Sequence, residues 1–176
     1  MRALIPLGLF LLLILGFAFG LTRDPSVLPS EMVDRPIPSF TLPSLYEDKP
    51  DITEAVFEGE ISLLNVFGSW CAACVTEHPK LVEIGETEQV QLIGVDWRDT
   101  REAGQRWLQR YGDPYDAVIF DDTSLLAIDL GITGAPETFL VDQAGRIRFK
   151  HVGIITDDVW ENDFLPRIFQ LKTSES

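Results

Sequence analysis

Cys71 and Cys74 are the only cysteines in the chain, and they stand in the string Trp70-Cys71-Ala72-Ala73-Cys74. At that spacing one helical turn brings the two sulfurs together, so they can form and break a disulfide. The residues before them, Ile61 to Phe67, read as a buried strand, and Val75 to Glu86 reads as a helix. A cysteine at such a junction lies at a helix N-terminus. Partial positive charge and free N–H groups there stabilise a thiolate and lower the thiol pKa. Cys71 is therefore the expected nucleophile. Cys74, one turn further in, is placed to attack any mixed disulfide that forms on Cys71.

Other uses of the pair need partners that the chain lacks. A zinc site needs a second ligand pair at short spacing, but the only histidines, His78 and His151, are far apart. Haem attachment needs a histidine directly after the second cysteine, and Val75 is there instead. A purely structural disulfide would close too small a loop to constrain the unfolded chain much. No metal and no cofactor is expected. The net charge of −14 comes without any basic stripe, so nucleic acid is not expected as a partner. The acidity reads as a soluble surface or as steering of a basic client.

The frame that must position the pair has 176 residues to work with, which suit one membrane segment plus one domain. Ala3 to Leu21 is an uncharged apolar run behind Arg2, close to the ~20 residues that span a bilayer. It exceeds the roughly 7–15 residues of a cleavable signal core, although Ala18-Phe19-Gly20 offers a small-x-small cleavage site. Residues 1–21 are read as an uncleaved transmembrane anchor with the N-terminus inside. Cleaved or not, the segment exports the rest of the chain to an oxidising compartment. Residues 22–38, with Pro25, Pro29, Pro36 and Pro38, read as an extended tether, and residues 39–176 as the folded domain.

Within the domain, Phe40 to Leu45 could be an opening short strand, and Ile52 to Phe57 a helical turn or an irregular connection. Val90 to Val95 reads as a second buried strand, Thr100 to Tyr111 as a helix, and Ala117 to Phe120 as a short strand. Asp121-Asp122-Thr123 caps a helix from Leu125 to Leu130, which Gly131 stops. Thr138 to Val141 and Ile147 to Val152 flank a turn at Asp142-Gln143-Ala144-Gly145. A last helix runs from Asp157 to about Leu171, with Trp160, Phe164, Ile168 and Leu171 inward. The pattern describes an α/β sandwich around a mixed sheet flanked by helices.

With these elements in place, the chain resembles the thioredoxin superfamily. Trp70 directly precedes the C-x-x-C, Pro79 lies where that family kinks its active-site helix, and Ala135-Pro136-Glu137-Thr138-Phe139 matches its cis-proline loop. Within the superfamily the likeness is to the CcmG/DsbE proteins of cytochrome c maturation. It is carried by Asn65 to Cys71, Glu77-His78-Pro79, Gly131 to Asp142, Gly145 to Gly153 and Val159-Trp160-Glu161. The resemblance implies a thioredoxin-like domain on a single-pass inner-membrane anchor, with its C-terminal domain in the periplasm. It implies a protein-disulfide reductase acting on apocytochrome c or on a maturation partner, supplied with electrons by a DsbD- or CcdA-type membrane protein. It also implies that backbone groups of Ala135 and Pro136 bind an extended client segment as an added strand.

Two departures bear on the chemistry. Ala72 stands where this family commonly has proline, which touches the redox potential. Asn65 stands six residues before Cys71, where thioredoxins carry a buried acid that takes the proton of the second cysteine. Glu77, three residues after Cys74, and Glu137, beside Pro136, are the expected replacements, partly desolvated near one another and with raised pKa values. Trp70 is expected to pack beside the sulfurs and shape the client groove, and Trp97 could line the same groove. Trp107 and Trp160 read as core, His78 as helix surface and His151 as a satisfied or exposed polar group. A TlpA- or ResA-like reductase with another client, a DsbA-like oxidant and a thiol chaperone or adaptor without turnover are the alternatives. A peroxidase would need Pro-x-x-x-Thr-x-x-Cys, and Gly68 occupies the threonine position.

Overall fold

The computed structural model describes residues 32–87 and 89–173, with residues 10, 12–14, 16 and 17 near the N-terminus. A hairpin of β1 (Thr41–Leu42) and β2 (Ile52–Thr53) leads through a 3-10 turn (Glu54–Phe57) to β3 (Ser62–Phe67). Then come α1 (Ala72–Glu86), β4 (Gln91–Trp97), α2 (Arg101–Tyr111), β5 (Ala117–Asp121), α3 (Leu125–Asp129), β6 (Glu137–Val141) and β7 (Ile147–Val152). The chain closes with α4 (Asp157–Val159), a π-helical stretch (Trp160–Phe164) and α5 (Leu165–Thr173).

The main sheet has the order β5-β4-β3-β6-β7. β3, β4 and β5 run parallel, β6 runs antiparallel to β3, and β7 runs antiparallel to β6, giving the mixed thioredoxin-like sheet that the sequence predicts. β3 is central and every one of its residues is buried, because it is covered on both faces. Its side chains alternate. Leu63 and Phe67 join the layer of α1, α2 and the C-terminal helices through Leu81, Ile84, Leu108, Phe164 and Ile168. Leu64 and Val66 face the other layer, where Leu126 and Ala127 of α3 meet Ile37 and Leu42 from the N-terminal side.

The expected strand at Phe40 to Leu45 divides its work. Thr41 and Leu42 pair with β2, and the chain then turns onto β5, where Leu45 donates to Val118 O at 2.8 Å and Pro43 O accepts from Phe120 at 2.9 Å. The last helix is likewise interrupted. Pro166 has no N–H to give to Asn162, and the turn before it widens to π geometry with Leu165 donating to Trp160 O.

Most of the expected anchor falls outside the described residues. Phe10, Leu12, Leu13, Ile14 and Phe17 within it are helical with exposed side chains. Among the described residues no helix is long and apolar enough to cross a membrane. Of the segment read as a tether, residues 22–31 lie outside the described residues, and the end of it is joined to the domain. Ile37 donates to Gly145 O at 2.8 Å, and Arg35 O accepts from Ile147 at 2.9 Å.

Leu64 is fully buried between Ile93 and Phe139 on the neighbouring strands. Leu64→Ala should lower the unfolding free energy by about 2–5 kcal/mol, measured by urea denaturation. An unchanged midpoint would show that the second layer closes over the gap.

Candidate active site at the Cys71–Cys74 pair

Cys71 is itself the N-cap of α1, so the helix begins at Ala72, earlier than periodicity places it. Its Sγ accepts the backbone N–H of Cys74 at 3.1 Å, which satisfies one of the free donors of the first turn. The two cysteines form a disulfide, and both are buried, with Cys71 4% exposed. The approach loop is held from β4 and the turn after it. Ser69 N–H donates to Asp99 Oδ2 at 2.5 Å, and the Trp70 indole donates to Trp97 O at 3.0 Å. Trp70 is half exposed and packs edge-on against Trp97 at 5.7 Å. Its indole lies so close over Gly68 that a Cβ there would come within 2.5 Å of Nε1. Glycine at 68 is thus a packing requirement of this tryptophan, and the threonine of a peroxidase motif would displace it.

Glu77 is 1% exposed, on the same side of α1 as Cys74. Its Oε1 accepts Ile155 N–H at 2.7 Å and its Oε2 accepts Asn65 Nδ2 at 3.0 Å. Burial pushes its pKa up to about 7, against the two hydrogen bonds, which favour the charged form. Asn65 is completely engaged. Its amide also donates to Thr138 Oγ1 at 2.9 Å, and its carbonyl accepts the Tyr115 hydroxyl at 2.8 Å.

Glu137 is not in this cluster, which corrects the expectation that it lies near Glu77. Side chains alternate along β6, so Thr138 and Leu140 face α1 while Glu137 falls on the face of Phe139 and Val141. There it is fully buried. Its Oε1 accepts Thr133 N–H at 2.8 Å, the Thr133 hydroxyl at 2.6 Å and Gly134 N–H at 3.1 Å, and its Oε2 pairs with Lys150 at 2.8 Å. This carboxylate latches the loop that leads into Ala135–Pro136, whose peptide bond is cis. Pro136 O accepts Gly153 N–H at 3.0 Å, whereas the N–H and C=O of Ala135 make no hydrogen bond among the described residues.

His78 is also corrected, from helix surface to 1% exposed. It donates from Nε2 to Gly112 O at 2.8 Å and meets Trp107 edge-on at 4.4 Å, and burial lowers its pKa. The signal is present in the sequence: Cys74, His78 and Leu81 recur at spacings of four and three. Trp97 is buried, its indole donating to Ser124 Oγ at 3.0 Å, and Trp107 and Trp160 are core as expected. His151 Nε2 lies 3.2 Å from Ile154 O. Among the described residues no group of His, Cys, Asp and Glu could hold a metal ion.

Residues 33–150 match the AhpC/TSA family. A thiol:disulfide interchange protein DsbE of Allochromatium vinosum is 46% identical over 94% of this chain and 91% of its own length. The chain belongs to the DsbE family. A second DsbE, from Pseudomonas aeruginosa, is 40% identical over 96% of this chain and 93% of its own length. Among solved structures, a secreted thiol-disulfide isomerase from Corynebacterium glutamicum superposes with a TM-score of 0.68 at 26% identity, covering 84% of this chain and 96% of that one.

Sequence reasoning missed Asp96 in this DsbE-family chain. It is fully buried at the end of β4, beside the Asp99 carboxyl. Burial first, then repulsion from Asp99, pushes its pKa up to about 8 against the attraction of Arg101. An added Cβ on Gly104 would come within 2.1 Å of its Oδ2, so α2 can pack here only with glycine at that position. Tyr115 was missed as well, because its link to Asn65 spans fifty residues of sequence.

The Glu77 carboxyl keeps its proton up to about pH 7 when folded, and up to about its ordinary value of 4.5 when unfolded. The folded chain therefore binds more protons between those values, and its stability should fall as pH rises from about 4.5 to about 7. Glu77→Gln should remove that slope, by on the order of 3 kcal/mol. Urea unfolding of the disulfide form across that window measures it. Parallel curves for parent and variant would mean that Glu77 titrates normally.

Proposed function

We propose that this chain is a membrane-anchored periplasmic reductase that keeps the thiols of apocytochrome c, or of a maturation partner, reduced during cytochrome c biogenesis. The observation that carries the reading is the capping cysteine pair with a buried carboxyl on the same side of the helix. In the reduced state, the Cys71 thiolate attacks one sulfur of the client disulfide, forming a mixed disulfide and releasing one client thiolate. Glu77 accepts the Cys74 proton, the Cys74 thiolate attacks Cys71 Sγ to form the protein disulfide, and the second client sulfur leaves as a thiolate that takes the proton from Glu77. Two electrons pass to the client. A DsbD- or CcdA-type membrane donor returns two electrons and two protons to Cys71 and Cys74.

The other roles follow from position. The free N–H and C=O of Ala135, beside cis-Pro136, offer an extended client segment one strand-like pair of hydrogen bonds. Trp70 gives that segment an exposed apolar rim. Glu137 acts through the loop it latches. The apolar run Ala3 to Leu21 supports the anchor and the periplasmic address.

Redox titration of Cys71–Cys74 in defined thiol/disulfide buffers tests the direction of electron flow. A potential towards the about −270 mV of thioredoxin is expected, and one near the about −120 mV of DsbA would make the protein an oxidant. Glu77→Gln should also alter the pH profile of client reduction near pH 7. An unchanged profile would remove Glu77 from proton transfer.

A further inference from the structure

We propose that the groove between α1 and α2, beside the cysteine pair, binds an acidic segment of the client protein through Arg106 and Arg110. The inference rests on the reductase reading and names the chemistry of the client at that site. The groove has a volume of about 660 Å³. On the α1 side it is bounded by Ser69 and Val75, which lie immediately around the Trp70–Cys74 segment. On the α2 side it is bounded by Arg106, Trp107, Arg110 and Tyr111. A segment lying in the groove is therefore within a few residues of any disulfide presented to Cys71.

The charge of this surface runs against that of the chain. Acidic residues outnumber basic ones by 28 to 14, yet among the described residues the only charged side chains lining the groove are these two arginines. They stand four residues apart on one helix face, an unfavourable spacing for like charges. Elsewhere Lys80, Arg101, Arg148, Lys150 and Arg167 are ion-paired. Arg106 and Arg110 make no ion pair among the described residues, and Glu102, one turn before Arg106, does not reach it. Arg110 instead lies 5.3 Å from the centre of the Tyr111 ring, which steadies its guanidinium. Trp107, in the wall between them, has an indole N–H with no acceptor among the described residues. Two guanidiniums with free donor forks match carboxylates, which they can bind bidentately. A basic segment would meet repulsion here and a purely apolar one would leave both cations unpaired.

The test uses the full-length disulfide form and a fluorescent Asp/Glu-rich peptide whose cysteines are replaced by serine, so that no redox step enters. By anisotropy, Arg106→Gln/Arg110→Gln should weaken binding about tenfold, and raising the salt concentration should weaken the parent similarly. Arg106→Lys/Arg110→Lys should recover part of the loss. Lys49→Gln/Lys172→Gln, with the same change in net charge away from the groove, should bind as the parent does. Equal affinity of parent and glutamine variant, or an equal loss in the Lys49/Lys172 control, would overturn the proposal. Reduction of the neutral bis(2-hydroxyethyl) disulfide by the reduced parent reads the reductase function separately, so failure of one reading is not mistaken for failure of the other.

Discussion

Asn65 sits in the middle of the central strand, buried on a face made mainly of apolar side chains, and it has no unused hydrogen-bonding group on its amide. Its two donors go to Glu77 on α1 and Thr138 on β6, and its acceptor takes the hydroxyl of Tyr115 ahead of β5. One amide thus ties together the helix that carries the cysteines, the strand after cis-Pro136 and the segment that leads into the edge strand β5. A buried polar network tolerates little error, because any member left unpaired costs its full desolvation. This fixes the setting of α1 against the sheet, and with it the position of Cys71 and Cys74. Asn65 cannot carry a proton, but it aims and solvates the carboxyl that can.

The same strand alternation separates two jobs that look alike in the sequence. Thr138 belongs to the cysteine side of the sheet, and Glu137, one residue earlier, belongs to the other. A carboxylate there, held by three hydrogen bonds and Lys150, organises the loop from behind without contacting Glu77. Of these two glutamates, Glu77 stands on the cysteine side against Asn65, while Glu137 stabilises the approach to Ala135.

Much of this is legible in the residues. The apolar runs locate β3 and β4, the turn at Asp142 to Gly145 locates the β6–β7 hairpin, and C-x-x-C at a strand-to-helix junction locates the chemistry. The illegible part depends on contacts between distant segments. The Tyr115 link to Asn65 and the packing of Asp96 on Gly104 leave no local pattern. The polar type of His78 points outward while its helical spacing points inward, and the spacing wins. For Glu137, nearness to Pro136 points towards the dithiol, and the two-residue period of a strand overrules it. The π-helical widening before Pro166 shows the opposite case, a local rule that the sequence does state.

The N-terminal approach has a bearing on how much of the sheet margin is left open. Before reaching β3, the chain lays Arg35 and Ile37 along the start of β7 and Pro43 and Leu45 along β5, the two outermost strands. An unfinished sheet margin recruits extended polypeptide indiscriminately. Here both margins are already partly dressed by the protein's own leading segment, whereas the N–H and C=O of Ala135 make no hydrogen bond among the described residues. Less of either margin is thus left open to an added strand, while the backbone beside the cis-proline is not covered by this segment.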